Sequence, residues 1–178
     1  VTSGATRARA EPQLSTSVNL GVAGQGDRSS LWSSTKFMGG LRGELLLGRD
    51  QDTAFGVGPY VEVLTTASFS DAQLGGGATF LIPIHPYLPL TLSAGAYAGH
   101  RDPWGWEPGL AGELFWGTRG YNYHGLYALS AGVFAGGRYA LGDSKEVTLI
   151  AGGRLDLELV ALPFLLLWGV IRGPNPSR

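Results

Sequence analysis

Eight stretches of this chain alternate apolar and polar residues with a period of two, the period at which a β-strand sends successive side chains to opposite faces. The first covers 13–24, with Leu14, Val18, Leu20 and Val22 on one face and Ser15, Ser17, Asn19 and Gly21 on the other. The same pattern recurs over 36–48, 53–65, 72–82, 89–100, 107–117, 126–141 and 146–159. These stretches are roughly 11–14 residues long, against ~5–6 for a typical globular strand and ~9–11 for a tilted strand that crosses a bilayer. The turns between them carry the Gly, Asp and Pro chemistry of reversals, as in "GRDQD" and "PIHPYLP". Hairpins therefore follow one another as an up-and-down meander, and an even strand number returns both chain ends to one side.

The two faces decide what is inside. One parity is Leu, Val, Ala and aromatic residues. The other is Gly, Ser and Thr together with Arg42, Glu44, Glu62, Glu113, Arg138, Arg154, Asp156 and Glu158. A water-soluble barrel keeps its apolar parity inward and has little room there for ions. A membrane barrel reverses this, with a lipid-facing apolar exterior and a polar lumen. The expectation is an all-β fold, an eight-stranded antiparallel up-and-down transmembrane β-barrel whose lumen charges pair with one another, since buried ions of one sign are costly. Aromatic residues of the apolar parity then sort by height. Phe55, Phe80, Trp116 and Tyr127 fall at the end that carries the chain termini. Phe37 and Tyr139 fall at the other end, with Trp32, Trp104 and Trp106 in the links beyond. Two aromatic girdles are what membrane interfaces select.

Composition sharpens this picture. At 178 residues the chain suits one domain, and its 15% charged residues fall below the ~25% of soluble domains. The 29 glycines follow no Gly-X-Y period and sit inside the alternating stretches as well as between them. With a net charge of −1 no basic surface argues for nucleic acid, and the absence of cysteine excludes disulfides and thiolate metal sites. No run reaches the ~18–20 apolar residues of a membrane helix. The opening "VTSGATRARAEPQ" has no apolar signal core, so export would require a signal already removed.

Candidate chemistry is sparse, and neither a metal nor a cofactor is implied. No nucleophile elbow, phosphate-binding loop or zincin spacing occurs, and "LGGGATF" lacks the lysine and helix start of a nucleotide cradle. His85 and His124 fall in turns at the end of the termini, and His100 falls near the opposite rim. Ser68, Ser70 and Glu107 in neighbouring links supply only common partners for a nucleophile–base pair. Asp50 and Asp52 read as turn residues. The small-residue run Ala94, Ala96 and Ala98 on a lipid-facing stripe would admit a close neighbour.

Three regions follow: a flexible leader over 1–12, the barrel over 13–159, and an apolar extension over 160–178 with a frayed end. In the extension alternation is lost and Pro163 should interrupt strand pairing. Phe164, Leu166, Trp168 and Ile171 are its candidate contacts to lipid or to a partner protein, because an uncovered apolar run is an aggregation hazard.

In its alternation, hairpin pitch, aromatic belts and lumen charges, the stretch 13–159 resembles the small eight-stranded outer-membrane barrels of Gram-negative envelopes, of OmpA and OmpX-like architecture. The tail departs from the aromatic terminus usual in those barrels. The resemblance implies an integral outer-membrane protein with both termini periplasmic, outer-membrane lipid around it and no nucleic-acid partner. The leading functional expectation is a non-catalytic structural anchor or subunit of a cell-envelope assembly, meeting other envelope proteins through the C-terminal segment. A narrow pore or lipid-modifying enzyme is the second reading, and a soluble ligand-binding β-barrel the third. Fold alone does not choose among them.

Overall fold

The structure, a computed structural model, describes residues 12–27, 30–66, 71–101, 105–119 and 128–172. Eight strands run in chain order: β1 (Gln13–Gly26), β2 (Ser34–Leu46), β3 (Gly56–Thr66), β4 (Asp71–Ile82), β5 (Leu90–Arg101), β6 (Gly105–Arg119), β7 (Ser130–Ala140) and β8 (Val147–Asp156). Each pairs antiparallel with its neighbours, and β8 pairs with β1 to close the barrel. Closure leaves the strands no free edge, so their backbone groups pair within the wall. A helix, α1 (Leu157–Arg172), follows β8 directly.

The alternation maps onto the wall as expected. Leu41, Val61, Leu92 and Leu155 face outward, and Val61 keeps 65% of its surface exposed. Arg42, Glu62 and Arg154, their neighbours in sequence, are all but fully buried. The apolar parity does not converge on a core, which removes the soluble ligand-binding barrel from consideration. Some apolar groups do enter the lumen. Ala23, Met38, Leu64, Phe115, Phe134 and Ile150 form a small cluster there, on the parity that carries the charges.

Inward glycines let the wall bend. Gly21 lies opposite Gly152, Gly77 opposite Gly95, and Gly117 opposite Gly132. A Cβ on Gly152 would lie 2.7 Å from Gly21 Cα, closer than side chains tolerate against backbone. Glycine within a strand commonly marks such a close approach at a barrel corner.

Element ends depart from expectation in instructive ways. The third strand starts at Gly56 rather than at 53, because 48–55 forms a turn in which Gly48 (φ +81°) reverses the chain. The sixth strand runs two residues further than 117, to Arg119. The eighth stops at Asp156 rather than 159. There the Asp156 Oδ1 accepts a hydrogen bond from Glu158 N at 2.9 Å, capping α1. Leu155, Leu157 and Leu159 fit the strand alternation, but the cap and the apolar run behind it favour a helix. Pro163 lies within α1, where it removes one backbone donor. Because β8 is short, the start of β1 is met instead by the segment before β7, where Ala128 N donates to Leu14 O at 2.9 Å.

The Gly21–Gly152 seam generates a prediction. Gly152→Val should cost on the order of 1–3 kcal/mol through overpacking at the closing seam. Gly153→Val, next along β8 where the nearest atom to a new Cβ is 3.9 Å away, should be tolerated. The difference is read as loss of the compact, heat-modifiable gel band for the first variant and its retention for the second.

Candidate functional site

The lumen is the most organised polar region of the molecule. Its centre is a chain of alternating charges carried by five strands. Arg42 of β2 meets three carboxylates: Glu44 at 2.5 Å, Glu62 at 3.4 Å and Glu113 at 3.4 Å. Arg42 Nη2 also donates to Ser93 Oγ at 2.5 Å, and its guanidinium lies 3.8 Å from the centre of the Tyr60 ring. Arg138 of β7 pairs with Glu62 at 2.6 Å and donates to Gln73 Oε1 at 2.9 Å. Arg154 of β8 pairs with Glu113 at 2.5 Å and donates to Asn19 Oδ1 at 2.8 Å. It stacks near Phe115 and Phe134, with ring centres 5.0 and 5.5 Å away. The aromatic faces are thus not intruders in a polar lumen: they take the flat sides of guanidiniums whose edges are hydrogen-bonded.

Two arginines that sequence reasoning did not assign to the lumen complete the set. Arg119, at the end of β6, pairs with Glu44 and donates to Ser15 Oγ at 3.0 Å. Arg49, from the β2–β3 turn, is fully buried. It donates to Gln13 Oε1 at 3.1 Å and to the backbone oxygens of Arg119 and Asp52 at 3.4 Å each. Arg119 shares the parity of Glu113 and Phe115, so extending the alternation by two residues would have found it. Arg49 had no such signal, because it sits in a turn whose Gly and Asp residues account for the reversal by themselves.

The sequence-derived site residues fall as follows. Arg42, Glu44, Glu62, Glu113, Arg138 and Arg154 come together in the network just described. Asp156 is buried at the end of β8, where it also caps α1. Glu158 does not join them. It lies exposed in the first turn of α1, because the strand that would have carried it inward has already ended. Of the aromatic set, Phe37, Phe55, Phe80 and Trp116 face outward, and Tyr139 is half-buried. Phe55 and Phe80 stack at 5.8 Å. Trp32 and Trp106 are exposed near the opposite rim. Tyr127 and Trp104 lie outside the described residues. Phe164 and Trp168 of α1 are exposed, whereas Leu166 and Ile171 are described only as helical backbone.

At the rim away from α1 a second polar group gathers. Asp71 takes Lys36 at 3.1 Å and Arg101 at 3.6 Å, and accepts from Thr66 at 3.0 Å and Gln25 at 3.4 Å. Arg101 also pairs with Glu146. Glu107 accepts from Ser144 N at 3.0 Å, which makes it a turn clamp. His100 packs edge-on against Trp106, and His85 Nδ1 accepts from Tyr87 N. Ser68, Ser70 and His124 lie outside the described residues. Among the described residues no group of three His, Asp or Glu side chains is placed to hold a metal ion.

No protein-family model matches the chain, and no curated protein matches it. Among solved structures it is similar in form to the outer membrane protein Ail of Yersinia pestis in a phospholipid bilayer nanodisc, at 14% identity and a TM-score of 0.42, over 80% of this chain and 99% of that one. At that distance the likeness is one of general shape, and the barrel stands on its own strand pairings.

Breaking the network should be expensive. Glu44 holds three arginines in the lumen, so Glu44→Gln leaves buried positive charge uncompensated. It should cost about 3–5 kcal/mol in urea unfolding from lipid vesicles. Glu107→Gln at the rim should change the same measurement by no more than about 1 kcal/mol.

Proposed function

We propose that this chain is a non-catalytic integral barrel of a bacterial outer membrane, with its termini on the periplasmic side, and that it serves as a sealed anchor within an envelope assembly. One observation carries the membrane reading: Leu, Val and aromatic side chains stand outward all around a closed wall, while the ionic side chains of the same strands are buried within it. In water such a surface would be an aggregation liability; in hydrocarbon it is the required exterior. The placement of Phe55, Phe80 and Trp116 at one height and Phe37 at the other supports the same reading.

The sealed lumen follows from its contents. An eight-stranded barrel has an interior just wide enough for side chains. Here five arginines, Arg42, Arg49, Arg119, Arg138 and Arg154, share it with their carboxylate partners and with Met38, Phe115 and Phe134. That filling disfavours a pore. The anchor role is supported by α1. Its exposed Leu159, Leu162, Phe164 and Trp168 lie on a helix whose barrel contacts are chiefly with β1 and β8, so these side chains need cover from lipid or from another envelope protein. The helix spans ~24 Å and is not long and apolar enough to cross a membrane.

Four measurements test this. The protein should need detergent for solubility and should conduct no ions in a planar bilayer; a water-soluble monomer would refute the membrane reading, and steady conductance the seal. Leu41→Arg, in mid-wall, should cost about 2–4 kcal/mol of folding free energy in vesicles, whereas Phe37→Arg near the interface should cost about 0–1 kcal/mol. Deleting residues 160–172 should leave the barrel folded but abolish co-extraction of any envelope partner; recovery of lone barrels with and without the helix would remove the anchor role.

A further inference from the structure

The outer wall is not uniform. Across β1, β2 and β3 it is cut by a trough made of two adjoining hollows, of about 510 and 260 Å³, which share Leu41 and Val63 as common lining. The trough exists because Gly39 and Gly43 place no side chain on a face otherwise built of Val18, Leu20, Leu41, Val61 and Val63. It starts beside Phe37 and Thr65, near one aromatic belt, and descends the wall to Leu157 at the foot of α1. From Thr65 to Val61 alone the trough runs ~13 Å along the strand. The outward side chains along it are aliphatic but for Thr16 in the lower hollow and Phe37 and Thr65 at the head. There Thr65 Oγ1 is shielded from solvent and has no hydrogen-bond partner among the described residues.

We propose that this trough seats one acyl chain of a zwitterionic glycerophospholipid, with the lipid's glycerol–ester region at Thr65. The inference rests on the membrane reading above. Shape and lining fit one narrow, flexible hydrocarbon chain. The unpaired hydroxyl fits a ligand that is apolar along its length and polar at its end, since Thr65 can donate to an ester carbonyl at the depth where Phe37 marks the interface. Charge selects the class of lipid. Lys36, next to Phe37 on β2, already holds Asp71, and Arg101 holds Asp71 and Glu146, so among the described residues the head of the trough offers no uncompensated cation for an anionic headgroup.

The glycines also make the test clean. A Cβ on Gly39 would lie 3.9 Å from Leu20 Cδ2, and one on Gly43 3.7 Å from Val61 Cγ2, both ordinary van der Waals contacts. Larger side chains can therefore fill the trough without disturbing the wall. Gly112, on the outward face of β6, has nothing within 4 Å of its Cβ position and serves as the control. The full chain is placed in nanodiscs of phosphatidylcholine doped with an analogue bearing a diazirine on one acyl chain. After irradiation, labelled peptides are mapped by mass spectrometry. Residues 37–43 and 61–65 should be labelled several-fold more than the outward residues of β5–β7. That bias should vanish in Gly39→Leu/Gly43→Leu and persist in Gly112→Leu. Even labelling around the wall of the unaltered chain, or a bias that the trough-filling pair leaves intact, would overturn the lipid seat while leaving a membrane barrel. Failure to enter nanodiscs at all would overturn the membrane reading beneath it.

Discussion

Charge neutralisation in a space too narrow for bulk water governs this barrel. A guanidinium inside an eight-stranded wall must find carboxylates within reach or the fold is lost, and each carboxylate is under the same demand. The molecule meets it mostly across the lumen, with Arg119 and Arg154 reaching Glu44 and Arg42 reaching Glu113, and in part between neighbouring strands. Arg42 and Glu62 are opposite each other in the β2–β3 ladder, and Arg154 and Asn19 are opposite in the β8–β1 ladder. Sliding either pair of strands by one residue would separate these partners and at the same time turn the apolar face inward. Register is thus specified from both sides of the wall, by ion pairing within and by the apolar face without. Longer links, such as Arg138 to Glu62 and Arg154 to Glu113, join strands across the barrel and make the lumen one network.

The same constraint explains what could be read from sequence. Parity was legible because every residue in mid-strand faces either lipid-type surface or lumen, with little between. Arg42, Glu44, Glu62, Glu113, Arg138 and Arg154 stand at positions where strand periodicity leaves no choice of side. Legibility failed where periodicity ceased to be the controlling rule. Glu158 obeys the parity of Arg154 and Asp156, yet Asp156 caps a helix and the parity stops there. Arg49 belongs to no strand, and a turn residue's direction depends on backbone conformation that alternation does not encode. Met38, Phe115 and Phe134 were visible on the charged face, but their use as surfaces for guanidiniums depends on three-dimensional neighbours.

The short eighth strand links the wall to the helix. Had β8 run to Glu158, strand parity would have carried that carboxylate inward, on the side of Arg154 and Asp156. Ending at Asp156 leaves Glu158 exposed in the first turn of α1, where a carboxylate suits the helix N-terminus, and leaves the foot of β1 to the segment before β7. The apolar helix is thereby fixed to the barrel's closing seam, where it meets β1 and β8.

Glycine has two separate uses in this wall. Gly21, Gly77, Gly117 and Gly152 point inward, and a Cβ on any of them would press on the backbone of the adjoining strand, so these positions are set by how sharply the wall bends. Gly39, Gly43 and Gly112 point outward, where a Cβ would meet ordinary van der Waals contact at most, and bending does not demand them. An outward Leu or Val at Gly39 or Gly43 would fit and would present more apolar surface to hydrocarbon. Their effect as they stand is on relief: they turn part of an otherwise continuous aliphatic wall into a trough. What such a hollow meets in a bilayer is hydrocarbon in any case, so the physical question is whether the hollow orders one chain or merely tolerates many, and the shielded Thr65 hydroxyl at its head is the feature that favours order.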